Sequence, residues 1–385
     1  MSNTKKRGGA MRMAVVGHLC LDIIPHWRLG GFADLKPGST VEMSGVAFST
    51  GGAVANTGLC LRRLGFEPLL MARVGSDHFA GIIRSILAEH GVSSRFLHTS
   101  SGTTSYTIVL SPPGSDRAFL HYPGTNDEFS LEDIDFSAAR SSLFHFGYPP
   151  LMRQMYSAGG KNLQAVFQRA KGADCITSLD LARPDPNAAS GQVDWEKILQ
   201  RTLPYVDLFL PSLEELLFMI SRREYEALQK GSLHRSTKLL DQLGRLLLDL
   251  GAALVGIKLG DQGFYLCSGS RAGELFGPEW AHRQLLSPIF KVEARGTTGA
   301  GDTTIAGLLA GLAEGCSPCQ AATLATAVGA CRVESGSAVE IPSLEEVQKR
   351  ITSGWPRGKI SLEAPGWTRG EQGVLRGPED GAFHR

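Results

Sequence analysis

Arg295-Gly-Thr-Thr-Gly-Ala-Gly-Asp302-Thr-Thr-Ile-Ala-Gly-Leu-Leu309 is the most informative stretch of the chain. Ile305, Leu308, Leu309 and Leu312 fall at i, i+3, i+4 and i+7, and Gly315 stops the pattern, so an amphipathic helix begins beside the glycines. The N–H groups of a helix's first turn lack intrahelical acceptors, and the helix dipole places positive potential there. Gly299, Ala300 and Gly301 therefore mark an anion site. Gly296 and Gly301 have the spacing of the outer glycines of G-x-x-x-x-G-K-[ST], but Asp302 stands where that phosphate loop needs Lys. A carboxylate there repels phosphate unless it faces the attacking nucleophile. Two readings of Asp302 stay open: a helix N-cap, or a base that takes an alcohol proton while the amides hold a transferring phosphoryl group.

Outward from this stretch, short apolar runs at Met13–Gly17, 143–147, 175–180, 206–210 and 254–259 alternate with helical patterns, among them one near residues 55–64 that ends at Gly65. Such alternation is the signature of βαβ units around a mainly parallel sheet, an α/β fold. Residues 27–49 and 99–119 break the rhythm. They are rich in Ser, Thr, Gly and β-branched residues and read as extra strands forming a small flap over one end of the sheet. A last short helix is expected around residues 344–351. Residues 1–12 read as a disordered arm and 351–385 as a disordered tail, leaving one domain over 13–350.

The 39 Lys+Arg against 38 Asp+Glu leave a net charge of +1, which removes the electrostatic case for nucleic acid or an anionic membrane as partner. No run is apolar enough for a membrane span or a signal-peptide core, so the chain is expected in the cytoplasm. Seven scattered cysteines are expected as reduced thiols, and Cys316-Ser-Pro-Cys319 lacks the second pair or nearby His of a zinc set. Near-zero charge suits a small neutral substrate. Arg117 reads as a lid residue meeting solvent, because a phosphorylated substrate needs more convergent basic groups than the sequence identifies.

Other pieces give the glycine stretch company. Gly51-Gly52-Ala-Val-Ala-Asn56 offers bare backbone and an amide suited to a sugar hydroxyl, and Asp22 sits after the first strand, at a sheet end where α/β proteins bind ligands. Taken with Val15-Val16-Gly17, Arg73-Val-Gly75-Ser-Asp77-His-Phe-Ala-Gly81, Gly124-Thr-Asn126, Val206-Asp207-Leu-Phe-Leu-Pro211, Lys258-Leu-Gly260-Asp-Gln-Gly263 and Thr297-Thr298-Gly299-Ala300-Gly301-Asp302, the chain resembles the ribokinase/PfkB family of carbohydrate and nucleoside kinases. The pieces occur in that family's order from about residue 13 to residue 351.

The resemblance implies a ribokinase-like three-layer α/β/α fold with a mainly parallel sheet and a small β lid, and transfer of the γ-phosphoryl of ATP to a hydroxyl of a small sugar. It makes Asp302 the base, with Gly299, Ala300 and Gly301 as the anion hole. Asp22, Gly51, Gly52, Asn56 and Asn126 would line the sugar pocket, while Ser212, Lys258, Gly260, Gly263 and Thr298 would lie along ATP. Glu215 would act indirectly on Mg²⁺, and relatives of this kind pair as homodimers through the lid. Two departures stand out. Ser212 replaces an expected Asn, and with Glu215 it also spells a helix capping box. Gly296 replaces an Asp in a region linked with a monovalent cation, which puts potassium activation in doubt. A nucleoside kinase, or a non-catalytic sugar or nucleotide sensor on the same scaffold, is the alternative. His18 and His145 by strand ends read as structural, and Tyr148 as a sugar-stacking, core or hinge residue.

Overall fold

The computed structural model describes residues 11–384 apart from positions 29, 116, 234 and 338. In chain order the strands are β1 Met13–Gly17, β2 Cys20–Trp27, β3 Met43–Gly51, β4 Leu69–Val74, β5 Leu97–Thr99, β6 Tyr106–Leu110, β7 Ala118–Tyr122, β8 Leu143–Gly147, β9 Ile176–Leu179, β10 Leu208–Phe209, β11 Leu254–Lys258, β12 Phe264–Ser268, β13 Gln284–Ser287, β14 Thr368–Arg369 and β15 Leu375–Arg376. Eleven of them form one sheet in the order β14-β15-β13-β12-β11-β10-β9-β8-β1-β4-β5. From β11 to β5 every pairing is parallel, and the strands beyond β11 are antiparallel.

β1 shows why helices cover both faces. All five of its residues are buried; Met13 and Val15 join one apolar cluster and Ala14 and Val16 the other, as the two-residue period of a strand requires. The result is the expected three-layer arrangement.

The lid is a separate four-stranded sheet, β3-β2-β6-β7. Two of its strands fall close to the expected segments, but β2 begins at Cys20, earlier than the sequence patterning suggests, and β7 runs to Tyr122. β2 is a central strand despite Pro25. Its parallel pairing to β6 covers only Leu21 to Ile23, so beyond that point β2 has one free edge where a missing N–H breaks no ladder bond.

The tail is a correction. Residues 351–384, expected to be disordered, pack against the sheet: β15 pairs with β13, and Val374 and Phe383 are fully buried. Trp355 stacks on Phe290 with ring centroids 4.4 Å apart, and the Arg357 guanidinium sits 3.8 Å from the Phe290 ring centroid. The apolar anchors are spaced too widely to show a period, and their order comes from docking onto an existing surface. Of the N-terminal arm, residues 1–10 lie outside the described residues. Arg12 already belongs to the fold, its carbonyl accepting from Leu143 N at 2.8 Å.

Candidate active site

At the carboxyl ends of β1 and β8, Gly17 lies opposite Gly147, and the chain order reverses because the other neighbour of β1 is β4. Ligands bind in the crevice at such a switch point. Three elements bring side chains to it: the helix Ala53–Arg63, the turn after β8, and the helix Ala300–Ala313.

Asp302 is the third residue of its helix and 1% exposed. The N-cap position is Gly299, at φ 79°, and the helix has no side-chain cap, so the Asp302 carboxylate is not spent on capping. It accepts instead from Asn56 Nδ2 at 2.9 Å and from the Tyr148 hydroxyl at 2.8 Å on Oδ1 and 2.9 Å on Oδ2. Burial pushes its pKa above the usual carboxylate range, against the opposing pull of Lys258, Asn56 and Tyr148. Tyr148 is held at φ 64°, ψ 45°, a left-handed backbone that an aromatic residue rarely adopts. That strain lies beside the buried Asp302 carboxylate, and functional sites are where such strain concentrates.

Of the expected anion hole, the Ala300 N–H is committed inside the turn, to Thr297 O at 3.1 Å. Gly301 and Asp302 remain among the orphan donors of the first helical turn. A Cβ on Gly301 would meet the Lys258 side chain at 3.4 Å, so a bare backbone brings the helix end and the ammonium together. Lys258 ends β11, and its Nζ lies 2.5 Å from Asp180 Oδ1 and 3.9 Å from Glu215 Oε2. Burial disfavours its charge, but Asp180 and Glu215 outweigh that and hold its pKa above the ordinary lysine value.

Beside this helix end opens a cavity of about 790 Å³ that takes in Ser212, Glu215, Lys258, Gly260, Gly263 and the Gly299 to Asp302 turn, with an apolar far wall around Phe290. The expected ATP-side residues thus come together, with one exception. Thr298 is not on the cavity; its hydroxyl accepts from Arg117 of the lid at 2.5 Å. Ser212 and Glu215 do form the capping box, with Glu215 N to Ser212 Oγ at 3.2 Å and Ser212 N to Glu215 Oε2 at 2.6 Å. The Ser212 hydroxyl therefore serves its helix first.

Asn56 leads from Asp302 to a second polar cluster, the residues expected to line a sugar pocket. A Cβ on Gly51 would come within 2.5 Å of both Asp22 carboxylate oxygens, and one on Gly52, at φ 89°, within 2.5 Å of His18. These glycines are what lets Asp22 and His18 approach the start of the Asn56 helix. Burial lifts the Asp22 pKa to about 6. Asn126, expected in the sugar pocket, is fully buried, donates to Leu19 O at 2.8 Å, and leaves its Oδ1 without a partner among the described residues.

Asp180 escapes sequence reasoning, and Tyr148 and His18 lie at the site in ways it does not specify. The Tyr148 hydroxyl donates to Asp302, and Asp180 holds Lys258. His18 is buried with both ring nitrogens unpartnered among the described residues, and burial followed by neighbouring His121 keeps it neutral. His121 comes from β7, with ring centroids 5.3 Å from His18, and shares a 2.9 Å hydrogen bond with Thr107. The only available signal was position, since Tyr148, Asp180 and His18 each directly follow a main-sheet strand.

A buried carboxylate between a nucleotide-sized cavity and a polar cluster beside a lid sheet is an arrangement that suits an α/β phosphotransferase. The chain belongs to the PfkB family of carbohydrate kinases, whose family model, described as pfkB family carbohydrate kinase, matches residues 12–345. It is thus an enzyme, an ATP-dependent carbohydrate kinase. An uncharacterized sugar kinase of Archaeoglobus fulgidus is 26% identical over 66% of this chain and 86% of its own length. Among solved structures, Arabidopsis thaliana ribokinase complexed with ribose and ATP aligns with a TM-score of 0.69 at 20% identity, covering 89% of this chain and 98% of that one. A putative ribokinase II of E. coli in complex with ATP and Mg²⁺ aligns with a TM-score of 0.66 at 21% identity, covering 89% and 99%.

Proposed function

We propose that this kinase binds a small sugar between the lid and the Asp302 carboxylate and phosphorylates one of its hydroxyl groups by direct in-line transfer. The observation that carries the reading is the placement of Asp302, fully buried and shared between the two ligand sides. The acceptor hydroxyl gives its proton to Asp302 as its oxygen forms a bond to the γ-phosphorus, the bond from that phosphorus to the ADP oxygen breaks, and ADP leaves. The Gly301 and Asp302 amides and the Lys258 ammonium face the charge that grows on the phosphoryl group. Asp22 and Asn56 orient sugar hydroxyls, and Asn126 positions the turn that carries His18. Gly260, Gly263 and the apolar wall hold the nucleotide. Closure of the lid excludes water that would otherwise accept the phosphoryl.

A magnesium ion fits this site as a water-mediated guest. Glu215 faces the cavity, but one of its oxygens is held by Ser212 N, and no cluster of three His, Cys, Asp or Glu side chains able to hold a metal occurs among the described residues. Mg²⁺ keeps several waters and relies on substrate phosphates, which such a donor set suits. When bound it neutralises charge on the β- and γ-phosphate oxygens. The reading is tested by a coupled ADP-release screen over pentoses, hexoses and sugar acids with Mg²⁺ present. Ligand binding with no sugar-dependent ADP release would remove it.

Tyr148→Phe deletes one donor to the base. The Asp302 carboxylate then loses a stabilising hydrogen bond and its pKa, already raised by burial, rises further. Less of it is ionised at a given pH, so the acid limb of the kcat profile is expected to move to higher pH. An unmoved limb in a folded variant would show that Tyr148 does not tune the base.

We further propose that the protein acts in the cytoplasm, where ATP is made and thiols stay reduced, and that it forms a homodimer through the lid. Among the described residues no helix is long and apolar enough to cross a membrane. β3 and β7, the two edges of the lid sheet, carry Val46, Phe48, Phe119, Leu120 and Tyr122 at 45–56% exposure. Apolar side chains on open strand edges gain from pairing. Sedimentation equilibrium is expected to give about twice 41.3 kDa, falling to one chain in Phe48→Asp/Leu120→Asp; a monomeric wild type would refute the dimer.

A further inference from the structure

Two arginines converge on the Gly296 to Gly299 loop, and neither lines the nucleotide cavity. Arg332, from the helix Pro318–Ser335, is 7% exposed, and its Nε and Nη1 have no hydrogen-bond partner among the described residues. A Cβ placed on Gly299 would lie 3.5 Å from Arg332 Nε and 3.5 Å from Asn56 Nδ2. The guanidinium and the amide that donates to Asp302 therefore flank the same point. Arg117, between β6 and β7 of the lid, donates to Thr298 and would lie 2.8 Å from a Cβ on Gly296. Burial and the proximity of Arg117 both disfavour the charge on Arg332.

Buried polar groups in native proteins are satisfied with few exceptions, and the exceptions ask for a reason. Asp302, Cys60 and Glu340 favour the Arg332 charge from nearby, but none of them hydrogen-bonds its Nε or Nη1 among the described residues. The phosphates of a nucleotide do not supply one either, because their cavity takes in Thr297 and Gly299 without reaching Arg332 or Arg117. What remains is a ligand on the acceptor side that brings its own negative charge. Guanidinium groups match carboxylate and phosphate oxygens, and do so most strongly out of water. The lid origin of Arg117 ties arrival of that charge to closure.

We propose that the sugar accepted by this kinase carries an anionic group, a carboxylate or a phosphate, separate from the hydroxyl that is phosphorylated, and that Arg332 together with Arg117 recognises it. The inference rests on the sugar-kinase reading above and names the chemical class of its acceptor. The anionic group is unchanged by the reaction. It replaces the neutral substrate that the overall charge of the chain suggests, since a local pair of cations decides what net charge does not.

Matched acceptors test it: a panel of hexoses, each against its uronic acid, its aldonic acid and its 6-phosphate, titrated calorimetrically without ATP and assayed by ADP release with ATP and Mg²⁺. At least one anionic acceptor is expected to bind about tenfold or more tighter than its neutral counterpart. The acid and phosphate arms then identify which anion is read. Arg332→Gln is expected to cut kcat/KM for the anionic acceptor by about 30-fold, at least ten times its effect on the neutral sugar, with KM for ATP little changed and partial rescue by Arg332→Lys. Equal binding of every neutral and anionic pair by the wild-type enzyme overturns the proposal, and needs no variant to fold. An Arg332→Gln enzyme that loses both acceptors alike also overturns it. Tight anion binding without ADP release leaves the anion site standing and removes the kinase reading, whereas turnover of neutral sugars alone does the reverse.

Discussion

Asp302→Asn is expected to lower kcat by about 10²- to 10⁴-fold, the range that loss of a general base produces, while ATP binding stays within a few-fold of wild type. The amide keeps the volume of the carboxylate, so the Gly299 turn and the first-turn amides are undisturbed. It cannot accept the alcohol proton, and its NH₂ faces two groups, Asn56 Nδ2 and the Tyr148 hydroxyl, that donate to the native carboxylate. The sign of the stability change follows from the raised pKa. A carboxyl whose folded pKa lies above its unfolded value contributes stability at low pH and loses it as pH rises through the folded pKa. Above its folded pKa the ionised Asp302 is therefore a cost to the fold, and there the Asn variant is expected to melt at the same temperature or higher. Coupled ADP release and thermal melting at two pH values measure both effects. Near wild-type turnover would show that another group takes the proton.

Ending the chain after Gly354 is expected to abolish cooperative folding. The segment removed carries Trp355, Leu362, Val374 and Phe383, all at 9% exposure or less. At roughly 1.5–3 kcal/mol for each large apolar side chain, the loss reaches about 6–12 kcal/mol as an upper estimate, against a typical total stability of 5–15 kcal/mol. It also strips β15 from β13 and exposes the edge of the main sheet. A gentler variant separates folding from function. Trp355→Ala/Arg357→Ala leaves the strands in place but releases both faces of Phe290, part of the nucleotide wall, so KM for ATP is expected to rise while the protein still melts cooperatively. Arg357 also donates to Pro288 O at 2.7 Å and to Thr326 Oγ1 at 3.0 Å, which binds the tail to that wall. A truncated chain with unchanged melting temperature and ATP affinity would show that the tail is dispensable.

The parts of the molecule legible in the sequence are those where local chemistry alone sets the outcome. β1 and β8 match their expected bounds, and the helix after Gly299 begins where orphan amides and a left-handed glycine require it. The expected nucleotide-side residues gather for the same reason, because each lies at a strand end or a helix start. The misses have a different physical origin. β2 is hidden by Pro25 and by the polar residues of a half-covered lid, and the tail is ordered only by surfaces made elsewhere. Tyr148 hydrogen-bonds Asp302, and Arg332 lies close enough to the lid Arg117 to feel its charge, both across more than 100 residues of sequence, and no spacing along the chain encodes them. Thr298 belongs to the expected motif but faces Arg117 instead of the cavity.

Only His18 and Leu19 separate β1 from β2, so an inner strand of the lid is an almost direct extension of an inner strand of the main sheet. At about 3.3 Å per residue, the eight residues of β2 make a lever arm of roughly 25 Å, with its pivot beside Tyr148. A rotation of about 10° at that pivot sweeps Trp27, at the tip, through about 4 Å. The mechanical advantage runs the other way as well: force applied at the tip, by a second chain held against the lid, acts with greatest leverage on His18 and hence on the aromatic ring that grips Asp302.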